Sequence, residues 1–299
     1  MAAVLLVFNP ISGAGRSMRA AAALESSLVE AGHGVTQLSS SLESTVQWLD
    51  PILQTHDVVL AIGGDGTVRM VAEGAHRTGT PLYQVPMGTE NLFARAMGMT
   101  SDHESIVSAI NAWRVHRFDM ARANGEPCLL MASCGFDAAV VHDLAARRSG
   151  PISHWSYLPS ILRQWLRWQP VPMHVTVDGA CIQAEHVGLC FVCNSREYGG
   201  RFNPAPAASM DDGLLDVVLL PTRSRWGVLR WMMKARKGRH VDDTRLVHAQ
   251  GHSVQIMFGS TMRWQVDGDR PPESARHVGM GLEVILEPAA LPVLLPSSS

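Results

Sequence analysis

The sequence predicts two domains: an α/β domain with an open, largely parallel sheet, then a β-rich domain. Three observations carry this. Short apolar strands alternate with helical stretches up to about residue 120. Beyond it, strand-like runs separated by Gly, Pro and Asp turns dominate. The chain has 299 residues and 46% hydrophobic content, enough for two cores.

In the first domain, residues 1–120, strands are expected at "AVLLVFNP", "GVTQLSS", "DVVLAIGG" and "PLYQVP". Helices are expected from Ser17 to Ala31, Leu42 to Leu53 and Thr67 to His76. In the second, residues 121–295, the strands are "CLLMASCGF", "MHVTVDG", "HVGLCFVCN", "LLDVVLLP", "HSVQIMFG", "MRWQVDGD" and "LEVILEP". Helix-like insertions at 155–168 and 224–237 interrupt them, and the last residues of the domain are open to packing back on the first. The polar tail 296–299 is expected to fray.

Composition excludes several classes. Net charge is −2, so the total predicts no polyanionic partner. The apolar start "MAAVLLVF" has no basic segment before it and no cleavage site, and no apolar run nears the roughly 20 residues that span a bilayer. A cytoplasmic protein is expected. Cys128, Cys134, Cys181, Cys190 and Cys193 form an odd set without the paired spacing of a zinc site. Cys190 and Cys193 lie in an apolar run and read as core thiols, with redox or metal chemistry as the alternative.

Ligands of α/β sheets bind beyond the carboxyl ends of the strands. Three glycine-bearing loops fall there: "NPISGAG", "GGDGT" and "PMGTEN". Glycine lets backbone amides approach a ligand, and the helix that follows offers unpaired N–H groups, so the set suits phosphate. Known alternatives fail. "GAGRSM" lacks the third glycine of the dinucleotide fingerprint, and nothing fits the Walker A pattern. The only lysines are Lys234 and Lys237, so the first domain must hold phosphate with amides, hydroxyls and arginine.

These motifs, "NPISG", "GGDGT" with "VRMVAEG", and "PMGTENLFAR", resemble the nucleotide loops of the diacylglycerol kinase catalytic domain family. That family includes bacterial lipid kinases and sphingosine and ceramide kinases. "CNSREYGGRFNPAPAASMDDGLLDVVLL" and "WQVDGD" resemble its C-terminal signatures, in order, so the resemblance runs from about residue 3 to about 295. It implies an α/β nucleotide-binding domain, like that of NAD kinases and phosphofructokinases, followed by a β-sandwich domain, with the active site between them. ATP would be bound by Asn9, Pro10, Ser12 and Gly13 of the first loop and Gly63, Gly64, Asp65, Gly66 and Thr67 of the second. Gly88, Thr89 and Asn91 would contribute from the third. Ser39 is the counterpart of a hydroxyl residue after the second strand, with Ser40 as alternative. Arg69 stands where the family more usually has asparagine; it either reaches a phosphate or is a solvated helix residue.

Two acids receive catalytic roles from the resemblance. Asp65 either positions the triphosphate and Mg²⁺ or helps order the acceptor hydroxyl; a carboxylate facing phosphates requires the cation between them. Family members carry "DGE" near the end of the second domain, with the glutamate as base for the lipid hydroxyl. Here "VDGD" places Asp269 there, its carboxylate roughly 1.5 Å further back. The alternative makes Asp267 and Asp269 plain turn residues. In bacterial relatives a structural Mg²⁺ is held around "SMDDGLLD", which implies Asp212 with the carbonyls of Ser209 and Leu214, against a plain Asp/Gly turn.

Residues 223–239 hold seven of the 25 basic residues and no acid. At about 100° per residue, Arg223, Arg230, Lys234 and Lys237 share one face, and Trp226, Val228, Leu229, Met232 and Met233 the opposite one. Residues 154–168 add Trp155, Leu158, Leu162, Trp165 and Leu166 at helical spacing. This suits peripheral association with an anionic membrane; the alternative is burial of both faces against the β domain. No nucleic-acid-binding fold accompanies the basic run. A homodimer is left open. The expectation is a Mg·ATP-dependent lipid kinase acting on diacylglycerol or a related lipid alcohol. Alternatives are a kinase of a soluble substrate such as NAD or a sugar phosphate, and a non-catalytic nucleotide or lipid sensor.

Overall fold

The computed structural model describes residues 1–10, 15–41, 43–147, 157–199, 202–259, 262–272, 275 and 281–297. The chain forms two compact units, residues 1–118 with 289–299 and residues 119–288.

In the first unit β1 (Ala3–Phe8), β2 (Gly34–Ser39), β3 (Val58–Gly63) and β4 (Leu82–Pro86) form a parallel sheet in the order β2-β1-β3-β4. β3 is buried along its whole length and β1 nearly so, as their unbroken apolar runs require of strands covered on both faces. The edge strand β2 is only half buried. α1 (Arg16–Glu30) turns Ala21, Leu24 and Leu28 inward, and α4 (Asp65–Thr78) does the same with Val68, Val71, Ala72 and Ala75. The single helix expected over 42–53 is two short ones, α2 (Thr45–Trp48) and α3 (Asp50–Leu53). Pro51 explains the break: lacking an N–H, it sits in the first turn of α3 and cannot continue α2. α5 (Leu92–Met97), α6 (His103–Ala112) and the start of β5 (Val115–Ala123) follow.

The second unit contains the end of β5, then β6 (Glu126–Cys128), β7 (Met131–Cys134), α7 (Phe136–Arg147) and α8 (Tyr157–Arg167). Next come β8 (Pro172–Val177), β9 (Ala180–Cys193), β10 (Leu215–Pro221) and α9 (Arg225–Arg236). β11 (Val247–Gly251), β12 (Ser253–Phe258) and β13 (Trp264–Val266) follow, and β14 (Gly281–Leu294) starts in this unit and, from Ala289 on, belongs to the first. The strands pair antiparallel in two layers that share β9. Its first half pairs with β8, which continues to β12; its second half pairs with β10 and β7. The strand changes layer at Gly188, where φ is 152° and a Cβ would lie 2.1 Å from the Leu220 carbonyl oxygen. Only glycine allows that approach. Val175, Val192, Val217, Ile256, Trp264 and Val284 pack in the core. Cys128, Cys134, Cys190 and Cys193 are buried free thiols and Cys181 is exposed; burial pushes Cys190 up to about 12.

α8 and α9 differ from the sequence expectation in which faces they bury. α9 buries Val228, Trp231 and Ala235 and leaves Trp226, Leu229 and Met233 exposed, so Val228 leaves the outward apolar set. Lys234 leaves the free basic face: it pairs with Asp243 at 2.5 Å and lies over the Trp231 ring. Trp155 lies outside the described residues.

Candidate active-site loops and acidic turn

The register of the parallel sheet levels its carboxyl ends. Phe8 aligns with both Ser39 and Ile62, and Gly63 aligns with Pro86. Asn9, Ser39, the Gly63–Thr67 loop and the Gly88–Asn91 loop therefore leave the sheet at one edge. The order β2-β1-β3-β4 reverses direction between β1 and β3, the place where α/β sheets open a crevice for ligands. Asn9 is half buried, and Pro10, Ser39, Gly66 and Thr89 are exposed. Ser12 and Gly13 lie outside the described residues.

The second and third loops touch through their glycines. A Cβ on Gly88 would lie 2.6 Å from the Gly64 Cα, and one on Gly63 would lie 2.4 Å from the Thr67 hydroxyl. Asn91, at φ 49°, accepts the Gly88 N–H at 2.8 Å and donates to the Gly88 carbonyl at 3.0 Å. Asp65 is the first residue of α4, and its carboxylate accepts the Phe93 N–H at 3.2 Å. Asp65 thus ties the second loop to the third. Gln84, fully buried in β4, completes the brace: it donates to the Gly63 carbonyl at 3.1 Å and accepts from the Ala94 N–H at 2.8 Å. Sequence reasoning missed Gln84; the signal was a lone amide inside the apolar run "LYQVP". Arg69 lies half buried one turn into α4.

In the second unit, "VDGD" is a two-residue hairpin turn. Asp267 and Gly268 have φ of 48° and 81°, as a type I′ turn demands, and Val266 and Asp269 exchange backbone hydrogen bonds of 3.1 and 2.8 Å. The two acids are not equivalent. Asp267 is buried and accepts the N–H groups of Leu129, Leu130 and Met131 at 2.9, 2.8 and 2.9 Å. Asp269 is half buried at the outer corner. Behind the turn, Gln265 accepts the Gly268 N–H at 2.7 Å and donates to Ser133 at 2.9 Å and to Asp137 at 3.1 Å. Ser133 and Tyr198 also donate to Asp137 through short hydrogen bonds.

Desolvation holds the Asp137 carboxyl above its ordinary value although all three donors act to lower it. The residue as a whole is half buried, but its carboxylate is enclosed by Ser133, Tyr198 and Gln265. A raised folded-state value means the native protein holds this proton where the unfolded chain has released it. The associated stability is complete below 3.8 and is lost as pH rises through the folded-state value. Thermal melts across that range are expected to give a smaller pH-dependent loss for Asp137→Asn than for the parent chain; identical profiles would remove this carboxyl as the cause.

The acids around "SMDDGLLD" also gather. Asp212 accepts the Leu214 N–H at 3.0 Å, Ser209 donates to Asp211 at 2.5 Å, and Asp119 accepts the Gly213 N–H at 2.8 Å. Asp216 is 1% exposed; its Oδ1 meets His248 at 2.5 Å and Gln250 at 3.3 Å, while its buried Oδ2 has no hydrogen-bond partner among the described residues. Desolvation, then the charges of Asp216, Asp119 and Asp211, raise the Asp212 carboxyl. Carboxylate and carbonyl oxygens of this kind are the ligands that a hard cation takes. Among the described residues, no three His, Cys, Asp or Glu side chains converge on a metal position; the expected set has one carboxylate and two main-chain carbonyls. Asp216 and Asp119 were not singled out from the sequence, although an acid inside the apolar run "LLDVVLL" was the signal for Asp216.

A parallel α/β unit with braced glycine loops at its carboxyl edge has the form of a phosphate-binding unit, and an antiparallel unit follows it. The sequence matches the diacylglycerol kinase catalytic domain over residues 3–123 and the YegS C-terminal NAD kinase beta sandwich-like domain over 131–295. A diacylglycerol kinase of Mycobacterium tuberculosis is 27% identical over 302 aligned residues, covering 98% of this chain and 95% of that protein. One from Bacillus subtilis is 23% identical, covering 88% of each. The crystal structure of a diacylglycerol kinase from Bacillus anthracis superposes with a TM-score of 0.70 at 19% identity, covering 98% of this chain and 96% of that one. The chain belongs to the bacterial diacylglycerol kinase catalytic family and is an enzyme of the lipid kinase class.

Proposed function

We propose that the protein transfers the γ-phosphate of ATP to the hydroxyl of a lipid alcohol, diacylglycerol first, giving phosphatidic acid. The observation that carries this reading is the joining of the second and third glycine loops at the level carboxyl edge of a sheet with no lysine in its unit. In this reading residues 1–120 bind ATP and 121–295 receive the lipid. Amides of the first loop, Ser12 and Gly13 included, and of the Gly63–Thr67 and Gly88–Thr89 loops cradle the phosphates, helped by Asn9, Ser39, Thr67 and Arg69, while Pro10, which has no N–H to donate, restrains the backbone of the first loop. Asp65 and Asn91 hold those loops in one shape, a positioning role for Asp65 that its bond to Phe93 supports. Asp269 accepts the lipid hydroxyl proton as its oxygen attacks phosphorus and the β–γ bridging oxygen leaves with ADP. Mg²⁺, when bound, neutralises charge on the triphosphate; Asp212 with the Ser209 and Leu214 carbonyls would hold a second, structural ion. The enzyme works from the cytoplasmic side as a peripheral protein.

The test is incubation with γ-labelled ATP and a panel of lipid alcohols in mixed micelles, followed by chromatography. Label in phosphatidic acid is expected. Label on no lipid, whether or not parallel reactions label NAD or a sugar phosphate, overturns the reading. Within it, Gly88→Ala forces the Gly64 backbone to move, at a cost of roughly 1–3 kcal/mol. We expect ATP affinity to fall at least about tenfold with the fold retained, measured by titration calorimetry.

A further inference from the structure

The turn that carries Asp269 rests on little sheet. β13 has three residues, and beyond the turn Asp269 returns as a single bridge to Val266. In a two-residue hairpin the N–H groups of both central residues lie outside the ladder. Here both have fixed protein acceptors: the Asp267 N–H donates to the Met131 carbonyl at 2.9 Å and the Gly268 N–H to Gln265 at 2.7 Å. The second bond is made although Gly268 is exposed and within reach of water.

Gln265 is itself held. It is 1% exposed and lies opposite Ser133 in the register of β7 and β13. Its amide N–H groups go to the Ser133 hydroxyl at 2.9 Å and the Asp137 carboxylate at 3.1 Å, which leaves its oxygen for Gly268. Ser133 and Tyr198 hold Asp137 in turn. Burial, then the charge of Asp137, pushes the Tyr198 phenol well up, so it stays a donor. Hydrogen bonds therefore run from Tyr198 through Asp137 and Gln265 to Gly268, the residue before Asp269. An apolar side chain would fill this place in β13 with no polar groups to satisfy, so packing alone does not call for a glutamine. Reach does. Asp269 is one methylene shorter than the glutamate usual in the family, and its carboxylate cannot swing far to offset a displaced backbone. A misplacement of about 1 Å can cost about 100-fold in rate.

We propose that Gln265 is a positioning residue for Asp269: clamped by Ser133 and Asp137, it fixes Gly268 and with it the place of the Asp269 carboxylate. The inference rests on the reading of Asp269 as the base and names what aims it.

The test is a double-mutant cycle on the lipid that accepts label, paired with amide hydrogen exchange. Gln265→Met keeps the length and loses every bond, so kcat should fall about 10- to 100-fold with the KM for ATP within about threefold of the parent. In the Asp269→Ala chain the same substitution should change kcat by less than about twofold, because no carboxylate is left to aim. A merely structural glutamine would cost the same in both chains. The Gly268 amide should exchange at least about tenfold faster in Gln265→Met than in the parent. Gln265→Glu/Asp137→Asn keeps the acceptor for Gly268 and reverses the donor across the other bond. It should stay within about tenfold of the parent kcat even if Gln265→Met fails to fold. The proposal falls if Gln265→Met matches the parent in kcat or in Gly268 exchange, if its loss persists in the Asp269→Ala chain, or if the paired variant is as slow as Asp269→Ala. Those results leave the base reading standing. Asp269→Ala turning over like the parent removes the base and this role together, even with the exchange contrast intact.

Discussion

Asp269→Ala is expected to lower kcat by about 10² to 10⁴ with the melting temperature unchanged. Asp269 closes a hairpin turn whose shape is held by Asp267, Gly268 and Gln265, so the turn is expected to keep its form in the variant. Asp269→Asn, which keeps size and polarity but cannot take a proton, should lose as much as the alanine variant. Asp269→Glu, which restores the longer acid typical of the family, should retain turnover within about tenfold of the parent chain. Steady-state kinetics on the lipid that accepts label decides this. Unchanged turnover in Asp269→Ala would remove the residue from the chemistry.

Asp267→Ala has the opposite signature. Three backbone N–H groups, of Leu129, Leu130 and Met131, converge on this buried carboxylate, and truncation leaves all three without it. Leaving such groups unsatisfied costs roughly 3–5 kcal/mol in all, and alanine is also disfavoured at a φ of 48°. The second unit should melt roughly 10 °C or more lower. Calorimetry checks this; a shift of a degree or two would mean that water replaces the carboxylate. Two acids one residue apart are thus expected to separate, one by rate and the other by stability.

That separation marks the limit of what "VDGD" told from sequence. The turn was legible, because Asp-Gly between apolar residues specifies a type I′ hairpin. The identity of the structural acid was not, since it depends on residues 129–131, more than 130 positions away. The roles of Gln84 and Asp137 were hidden for the same reason. A buried polar residue shows only as an exception to an apolar pattern, and its partners come from other elements.

By itself the sequence determined the parallel strands of the first unit, the three glycine loops at their carboxyl ends and the family. Local periodicity, glycine spacing and ordered motifs are properties of neighbouring residues. Only the tertiary structure decided that Gly64 and Gly88 meet, that Asp65 bonds the Phe93 amide, and that β9 serves two layers through Gly188. It also decided which faces of α8 and α9 point outward. The hydrophobic pattern locates an apolar stripe on a helix, but only the neighbours of that helix determine whether the stripe is buried; on α8, Asp143 draws the polar side in and leaves the leucines to the solvent.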